Sequence, residues 1–246
     1  MSITFPNESA DYRAARDRLL AKELELRRAM EAVAAERRAL PQGGIAREDY
    51  AFTEVDKNDS VRTVRLTELF EPGSKSLVVY NFMFPRYAKD VRPGPKSGLT
   101  ARLPLKEGPC PSCVALLDQL DGAALHVKPK LNFVVIAKTS AQRLAAFGRE
   151  RGWRHMRLLS SAGTTFKRDY GGETSDGDQM PMLNVFHRDA DAIRHSWSSE
   201  LLHAPSDPGQ DYRHVGTLEP MWNMMDFTPE GRATDWNEQL DYAQCH

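Results

Sequence analysis

The chain has little cysteine: three residues in 246, at Cys110, Cys113 and Cys245. Three thiols cannot build the multi-bridge framework of a small secreted scaffold, so a thiol pair here points to catalysis or metal binding. Charge of one sign is also missing. Lys and Arg total 33 against 34 Asp and Glu, so no global basic field draws the protein to nucleic acid. No apolar run approaches the roughly 18 residues of a membrane span. The longest runs, residues 77–84 and 133–137, have strand length. The N-terminus shows no basic start followed by an apolar stretch and a small-residue cleavage site. No Gly-x-Gly-x-x-Gly or phosphate loop calls for a nucleotide, and the histidines show no His-x-x-x-His cadence. The expectation from these absences is a cytoplasmic protein with no cofactor, no resident metal, and no nucleic-acid or membrane partner.

What is present suffices for a packed core. Apolar residues make up 41% of the chain, and the length suits one full domain plus an appendage. Residues 8–40 read as one long helix without Gly or Pro. Tyr12, Leu19, Leu26, Val33 and Leu40 recur every seven residues, with Leu20, Leu24 and Met30 widening the stripe. Pro41-Gln-Gly-Gly44 stops it. An amphipathic helix lying on its own domain is the leading reading, and a homodimer through this arm is the alternative. The expected organisation is a helical arm over 1–44, a domain over 45–232 and a poorly ordered tail over 233–246.

Within the domain, residues 50–55 alternate like a strand, and 64–70 read as a short helix or turn. Residues 76–84 are the strongest strand candidate, nearly continuous and rich in β-branched and aromatic residues. A long connection follows over 85–109. Six Lys and Arg there face Asp90 and Glu107; it reads as a flap over a site or as a mobile insertion. Cys110-Pro-Ser-Cys113 opens a helix ending near Gly122. A strand over 131–137, a helix over 141–151 capped by Ser140 and stopped by Gly152, and a strand over 156–160 come next. A polar loop spans 162–177. Strands over 180–186 and 192–198 and a helix over 217–227 complete the pattern.

The cysteine pair carries the chemistry. A Cys-x-x-Cys beside a βαβ pattern reads as a thioredoxin-like redox site. A thiolate is the attacking species, and the N-terminus of a helix lowers a thiol pKa from about 8.5 into the range ~3.5–7.5. The second thiol, one turn inside, closes the disulfide and releases the mixed-disulfide partner. Pro111 suits the first helical position. Cys110 is therefore the expected attacking thiol and Cys113 the resolving, more buried one, with Ser112 placed to tune the pair. Met180-Pro181, just before a strand, is the expected place for a cis bond that sets backbone beside the thiols. Pro111, Ser112, Met180 and Pro181 are the candidate substrate-contacting residues. Asn81, in a buried strand, must find hydrogen-bond partners. Trp153, Trp197 and Trp222 read as core or rim aromatics.

Leu77-Val-Val-Tyr-Asn-Phe-Met-Phe84, Gly108-Pro-Cys-Pro-Ser-Cys113, the stretch 153–171 and Met225-Asp-Phe-Thr-Pro-Glu-Gly-Arg232 carry a family likeness. Together with the Ala-Glu-Arg-Arg-Ala-Leu-Pro run ending at Pro41, they resemble a bacterial family of uncharacterised thioredoxin-like proteins. That family is a domain of unknown function labelled as predicted dithiol–disulfide oxidoreductases. The resemblance covers most of the chain. It implies an α/β, thioredoxin-like mixed sheet flanked by helices, preceded by the helical arm, with the cysteine pair as its site. The connection between Phe84 and Cys110 is longer and more basic than the family pattern.

Three rival readings use the same residues. Zinc would take Cys110 and Cys113 with Cys245-His246 or with His126, His155 or His187, but no second Cys-x-x-Cys exists. A peroxiredoxin would place Pro and Thr or Ser seven and three residues before its cysteine. Here those offsets give Leu103 and Glu107 for Cys110, and Lys106 and Cys110 for Cys113. A thioredoxin-fold binding protein with incidental thiols is the third. The sequence favours a thiol–disulfide oxidoreductase acting on a protein or small-molecule disulfide, with an external reductant.

Overall fold

The computed structural model describes residues 3–190, 192–232 and 235–242. The chain divides into two compact units, 1–43 and 44–246. The first is a single helix, α1 (Ala10–Ala39). Ser9 caps it, its hydroxyl accepting from the Tyr12 N–H at 3.1 Å. Surface pairs such as Arg16–Glu23 at 2.9 Å line its side. Among the described residues, none in α1 is buried, and Tyr12, Leu19, Leu26 and Val33 are all exposed.

The second unit is built on a seven-stranded sheet. Its strands are β1 (Ala51–Val55), β2 (Val61–Arg65), β3 (Ser76–Phe82), β4 (Asn132–Ala137), β5 (Arg157–Ser160), β6 (Met182–Arg188) and β7 (Ile193–Ser198). They lie in the order β2-β1-β5-β4-β3-β6-β7. β3, β4 and β5 run parallel, and β6 and β7 continue antiparallel beyond β3. The helix α2 (Pro111–Val127) crosses from β3 to β4, and α3 (Ala141–Arg151) from β4 to β5. The β3-α2-β4 crossover with β6 and β7 antiparallel on the other side of β3 is the thioredoxin-like arrangement, a mixed sheet flanked by helices.

β3 is central and buried on both faces, which explains its unbroken apolar run. Tyr80 and Phe82 pack with Leu117 of α2 and Phe147 of α3. Leu77 and Val79 point the other way, into a second core with Phe166 and Phe186. No helix among the described residues is long and apolar enough to cross a membrane.

Several expectations need correction. Gly122 does not end α2, which runs on to Val127 because Leu117, Leu120 and Ala124 keep burying across it. Residues 61–65 form β2 and a short 3-10 turn follows, because Val64 and Leu66 are drawn into the core. The polar loop after β5 contains a one-turn helix, α4 (Phe166–Asp169), anchored by buried Phe166 and Lys167. The last helix, α5 (Pro220–Asp226), starts at Pro220 in the first turn rather than at Thr217. The segment 235–242 is not loose: Glu238 and Leu240 are buried. Cys245 lies outside the described residues, as does Asp191.

The cis bond is Phe84–Pro85, not Met180–Pro181. The sharp turn comes where the chain leaves β3, with the Phe84 N–H on the Phe82 carbonyl at 3.0 Å. Pro181 stands one residue before β6, where the Met180 N–H is held by the Gly172 carbonyl at 3.0 Å.

Candidate functional site

The exit from β3 and the start of α2 fix both sulfurs. The Arg86 N–H donates to the Gly108 carbonyl at 2.9 Å, and the Cys110 N–H to the Met83 carbonyl at 3.0 Å. The insertion 85–109 therefore begins and ends at one place, beside the end of the strand. Cys110 is the N-cap residue of α2, with extended backbone, and Pro111 follows in the first turn. The Val114 N–H closes that turn on the Cys110 carbonyl at 3.0 Å. Both cysteines are free thiols, and both are 2% exposed. The expected difference in depth is absent; the difference is in direction. Cys110 lines a cavity of about 750 Å³. Cys113 faces the core, where it hydrogen-bonds the Tyr80 hydroxyl.

The surroundings push the two thiols apart. The Cys110 pKa falls to about 7. The main cause is the hydrogen bond from the Cys113 thiol; the Cys113 N–H at the helix tip and the Arg92 guanidinium add to it, against burial. Arg92 Nη2 stands 3.7 Å from Cys110 Sγ. Burial raises the Cys113 pKa, and its hydrogen bond to Cys110 raises it further. One sulfur is thus poised as a thiolate and the other as a thiol, within hydrogen-bond reach of each other.

Arg92 is held on three sides. Its guanidinium pairs with Asp90 at 2.8 Å, donates to Ser112 Oγ at 2.8 Å and reaches Glu238 at 3.3 Å. Ser112 Oγ in turn donates to Glu238 Oε2 at 3.0 Å, and Trp222 Nε1 to Glu238 Oε1 at 3.2 Å. Ser112 thus acts on Arg92 and Glu238 rather than on a sulfur directly. Arg86 lies behind, fully buried, with Nη1 on the Arg92 carbonyl at 2.5 Å. The segment once expected to be loose supplies Glu238 to this network.

The structure brings Cys110, Ser112, Met180, Pro181 and Trp222 to one cavity wall. Pro111 is buried in the first turn of α2 and is not part of that wall. Carboxylates dominate the charged groups of the lining: Asp90, Asp178, Asp211, Glu219 and Glu238 face one arginine, Arg92. Burial, reinforced by Glu238 and Asp211, pushes the Glu219 carboxyl up to about 7. Trp153 is a core aromatic, its Nε1 donating to Asp118 at 2.8 Å. The amide of Asn81 has no hydrogen-bond partner among the described residues. It lies against Gly172, where an added Cβ would come within 2.7 Å of it. Among the described residues no group of three or more His, Cys, Asp or Glu is placed to hold a metal ion, and Cys245 and His246 lie outside them.

Sequence reasoning singled out the two sulfurs but not Asp90, Arg92, Tyr80 and Glu238, which surround them. The basic composition of 85–109 was the only signal for Arg92.

A family model described as "Bacterial protein of unknown function (DUF899)" matches residues 3–245, and the chain belongs to that family. No curated protein matches it. Among solved structures, it is similar to the mitochondrial 2-Cys peroxiredoxin of Plasmodium falciparum, at 12% identity and a TM-score of 0.42, over 76% of this chain and 95% of that one. It is similar to the exposed lipoprotein thioredoxin Etrx1 of Streptococcus pneumoniae at 12% identity and a TM-score of 0.39, over 70% and 99% of the two chains. Peroxidoxin BcpB of Mycobacterium tuberculosis gives 16% identity and a TM-score of 0.41, over 76% and 98%.

Proposed function

We propose that this family member is a thiol–disulfide oxidoreductase working through Cys110 and Cys113. One observation carries the reading. Cys110 sits at the tip of α2 on a cavity wall, with the Arg92 guanidinium 3.7 Å from its sulfur and its pKa lowered to about 7. At neutral pH about half of such a sulfur is thiolate.

The Cys110 thiolate attacks a substrate disulfide R–S–S–R′. A Cys110–S–S–R bond forms and R′S⁻ leaves, taking a proton from solvent. Cys113 then displaces the second thiol, leaving a Cys110–Cys113 disulfide and RSH. An external dithiol restores the pair. The partner is a protein or small-molecule disulfide small enough at its reacting end for the cavity. The carboxylate-rich lining disfavours strongly anionic disulfides. A reducing, cytoplasmic setting suits a pair that rests as free thiols.

Thiol peroxidase is a second reading, favoured by the same Arg92 contact. There the thiolate would take one oxygen from a hydroperoxide, and Cys113 would condense with the resulting sulfenic acid and release water. The test is dithiothreitol-driven reduction of a protein disulfide by wild type and Cys110→Ser, run beside a hydroperoxide arm. Loss of disulfide reduction in the folded variant is expected. Full activity in Cys110→Ser overturns the proposal, and turnover confined to the hydroperoxide arm favours the second reading.

A further inference from the structure

Lys167 is among the most deeply buried charged residues described in the domain, 1% exposed on the one-turn helix α4. A lysine so placed is costly unless something answers its charge. Its Nζ donates to the Phe82 carbonyl at 2.9 Å. That carbonyl belongs to the peptide between Phe82 and Met83, at the point where β3 ends. The N–H of the same peptide, that of Met83, is directed to the Cys113 sulfur. One peptide group thus has an amine on its oxygen and a thiol on its N–H. The Met83 carbonyl, one peptide further, receives the Cys110 N–H at 3.0 Å. The dithiol and Lys167 therefore share one short stretch of backbone.

We propose that Lys167 is a positioning residue that stabilises the Cys113 thiolate through the Phe82–Met83 peptide while Cys113 resolves the mixed disulfide. The inference rests on the oxidoreductase reading above and assigns a role to a residue that reading leaves unused. A positive charge on the carbonyl oxygen polarises the peptide and strengthens donation from its N–H. The need for it is specific to Cys113, beside which no arginine stands among the described residues and whose thiolate burial opposes. In the step itself, Cys113 sulfur bonds to Cys110 sulfur, the Cys110–S–R bond breaks, and the Cys113 proton ends on the departing thiol: Cys113–SH plus Cys110–S–S–R gives the internal disulfide plus RSH. Lys167 supplies charge while the Cys113 sulfur is anionic and does not itself exchange bonds.

The groups that face Lys167 fit this use. Burial lowers its pKa to about 7, and Cys113 and Glu173 oppose that shift while Lys138 adds to it. Glu173 is shared: it pairs with Lys138 at 2.6 Å and with Arg168 at 3.8 Å. Lys167 can therefore be neutral beside the thiol and cationic beside the thiolate near neutral pH, so no permanent charge is locked in the core.

The experiment is stopped-flow reaction with the uncharged aromatic disulfide 2,2′-dithiodipyridine between pH 6 and 10. The first thiopyridone released reports attack by Cys110 and the second reports resolution by Cys113. Two variants are compared with wild type: Lys167→Met, which keeps the volume, and Lys167→Gln, which keeps a donor for the Phe82 carbonyl without the charge. Expected is an unchanged first release and a second release about tenfold slower at pH 7, the difference from wild type narrowing as pH rises and Lys167 loses its own proton. Wild-type second-release rates in both variants overturn the role of Lys167, and so does recovery in Lys167→Gln, since a hydrogen bond would then suffice. Absence of the first release in wild type instead overturns the oxidoreductase reading. Should Lys167→Met not fold, Lys167→Gln alone decides.

Discussion

The first turn of α2 has a cavity side and a core side, and each holds one sulfur of equal exposure. On the cavity side, Cys110 meets the Arg92 guanidinium, and its pKa falls to about 7. On the core side, Cys113 meets Tyr80 and the end of β3, and its pKa rises. Burial is the same at 2%, so exposure alone does not separate them. Cys113 keeps the rise that burial brings, whereas at Cys110 the hydrogen bonds from Cys113 and the Arg92 charge overcome it. On the oxidoreductase reading we propose, this arrangement would divide the labour of a two-step exchange: the outer sulfur would attack, and the inner one would be held back until a mixed disulfide exists.

The largest expected effect breaks the core side. Lys167 has a folded-state pKa of about 7 against an ordinary 10.5. The unfolded chain therefore binds more protons than the folded one between those values, and stability rises with pH across that window. Below pH 7 both states hold the proton and the full cost of burying the ammonium is borne. Lys167→Met is expected to be more stable than wild type at pH 6 by roughly 3–5 kcal/mol, less whatever the lost hydrogen bond to Phe82 was worth. The gain shrinks as pH climbs from 7 to 10. Urea unfolding at pH 6 and pH 9.5 measures it, and an equal gain at both values would mean the lysine's charge is not what the core opposes. A stabilised variant that resolves mixed disulfides slowly would show that the core gives up stability for function here.

Next in size is the cavity side. Arg92→Met removes the cation beside Cys110, and Asp90 and Glu238 then stand near the sulfur with no intervening charge. The Cys110 pKa is expected to rise by about one unit, slowing iodoacetamide alkylation at pH 6.5 about tenfold and leaving it unchanged above pH 9.5. Peptide mass spectrometry of Cys110 across that pH range reads the shift. A profile that does not move removes Arg92 from the account of the thiolate and leaves the helix tip and Cys113 alone.

The sulfurs and the scaffold around them were legible because their signals are local. Ser140 caps α3, its hydroxyl accepting from the Arg143 N–H at 3.3 Å, and Gly152 ends it at φ 77°. Cys110-Pro-Ser-Cys113 is likewise a helix start written in four residues. Gly122 misled because its cost inside a helix, about 1 kcal/mol, is smaller than the burial of Leu117, Leu120 and Ala124 around it. Arg92 was legible only as one cation of a basic connection, and Glu238 was not legible at all. Their contact spans most of the chain, and Glu238 lies in a polar segment with no periodicity to announce that it packs. Lys167 sits in Phe-Lys-Arg-Asp, where nothing local separates a buried lysine from a solvated one.

The smallest effect sharpens the contrast between the two sides. Tyr80 is fully buried on β3, and burial, then the neighbouring Cys113, raises its own pKa. The phenol stays protonated, so its hydroxyl can donate to the Cys113 sulfur and lower that pKa. Tyr80→Phe removes the donor and leaves the ring. A neutral hydrogen bond is worth about 0.5–1.5 kcal/mol, so resolution should slow by roughly three- to tenfold at pH 7, at or below the effect of removing the Lys167 charge. Attack by Cys110 should keep its rate, because the phenol lies on the far side of the helix turn. If Tyr80→Phe instead slows the first thiopyridone release as much as the second, the two sides of the turn are electrostatically one site, and the division of labour between the sulfurs must be set by access to the cavity alone.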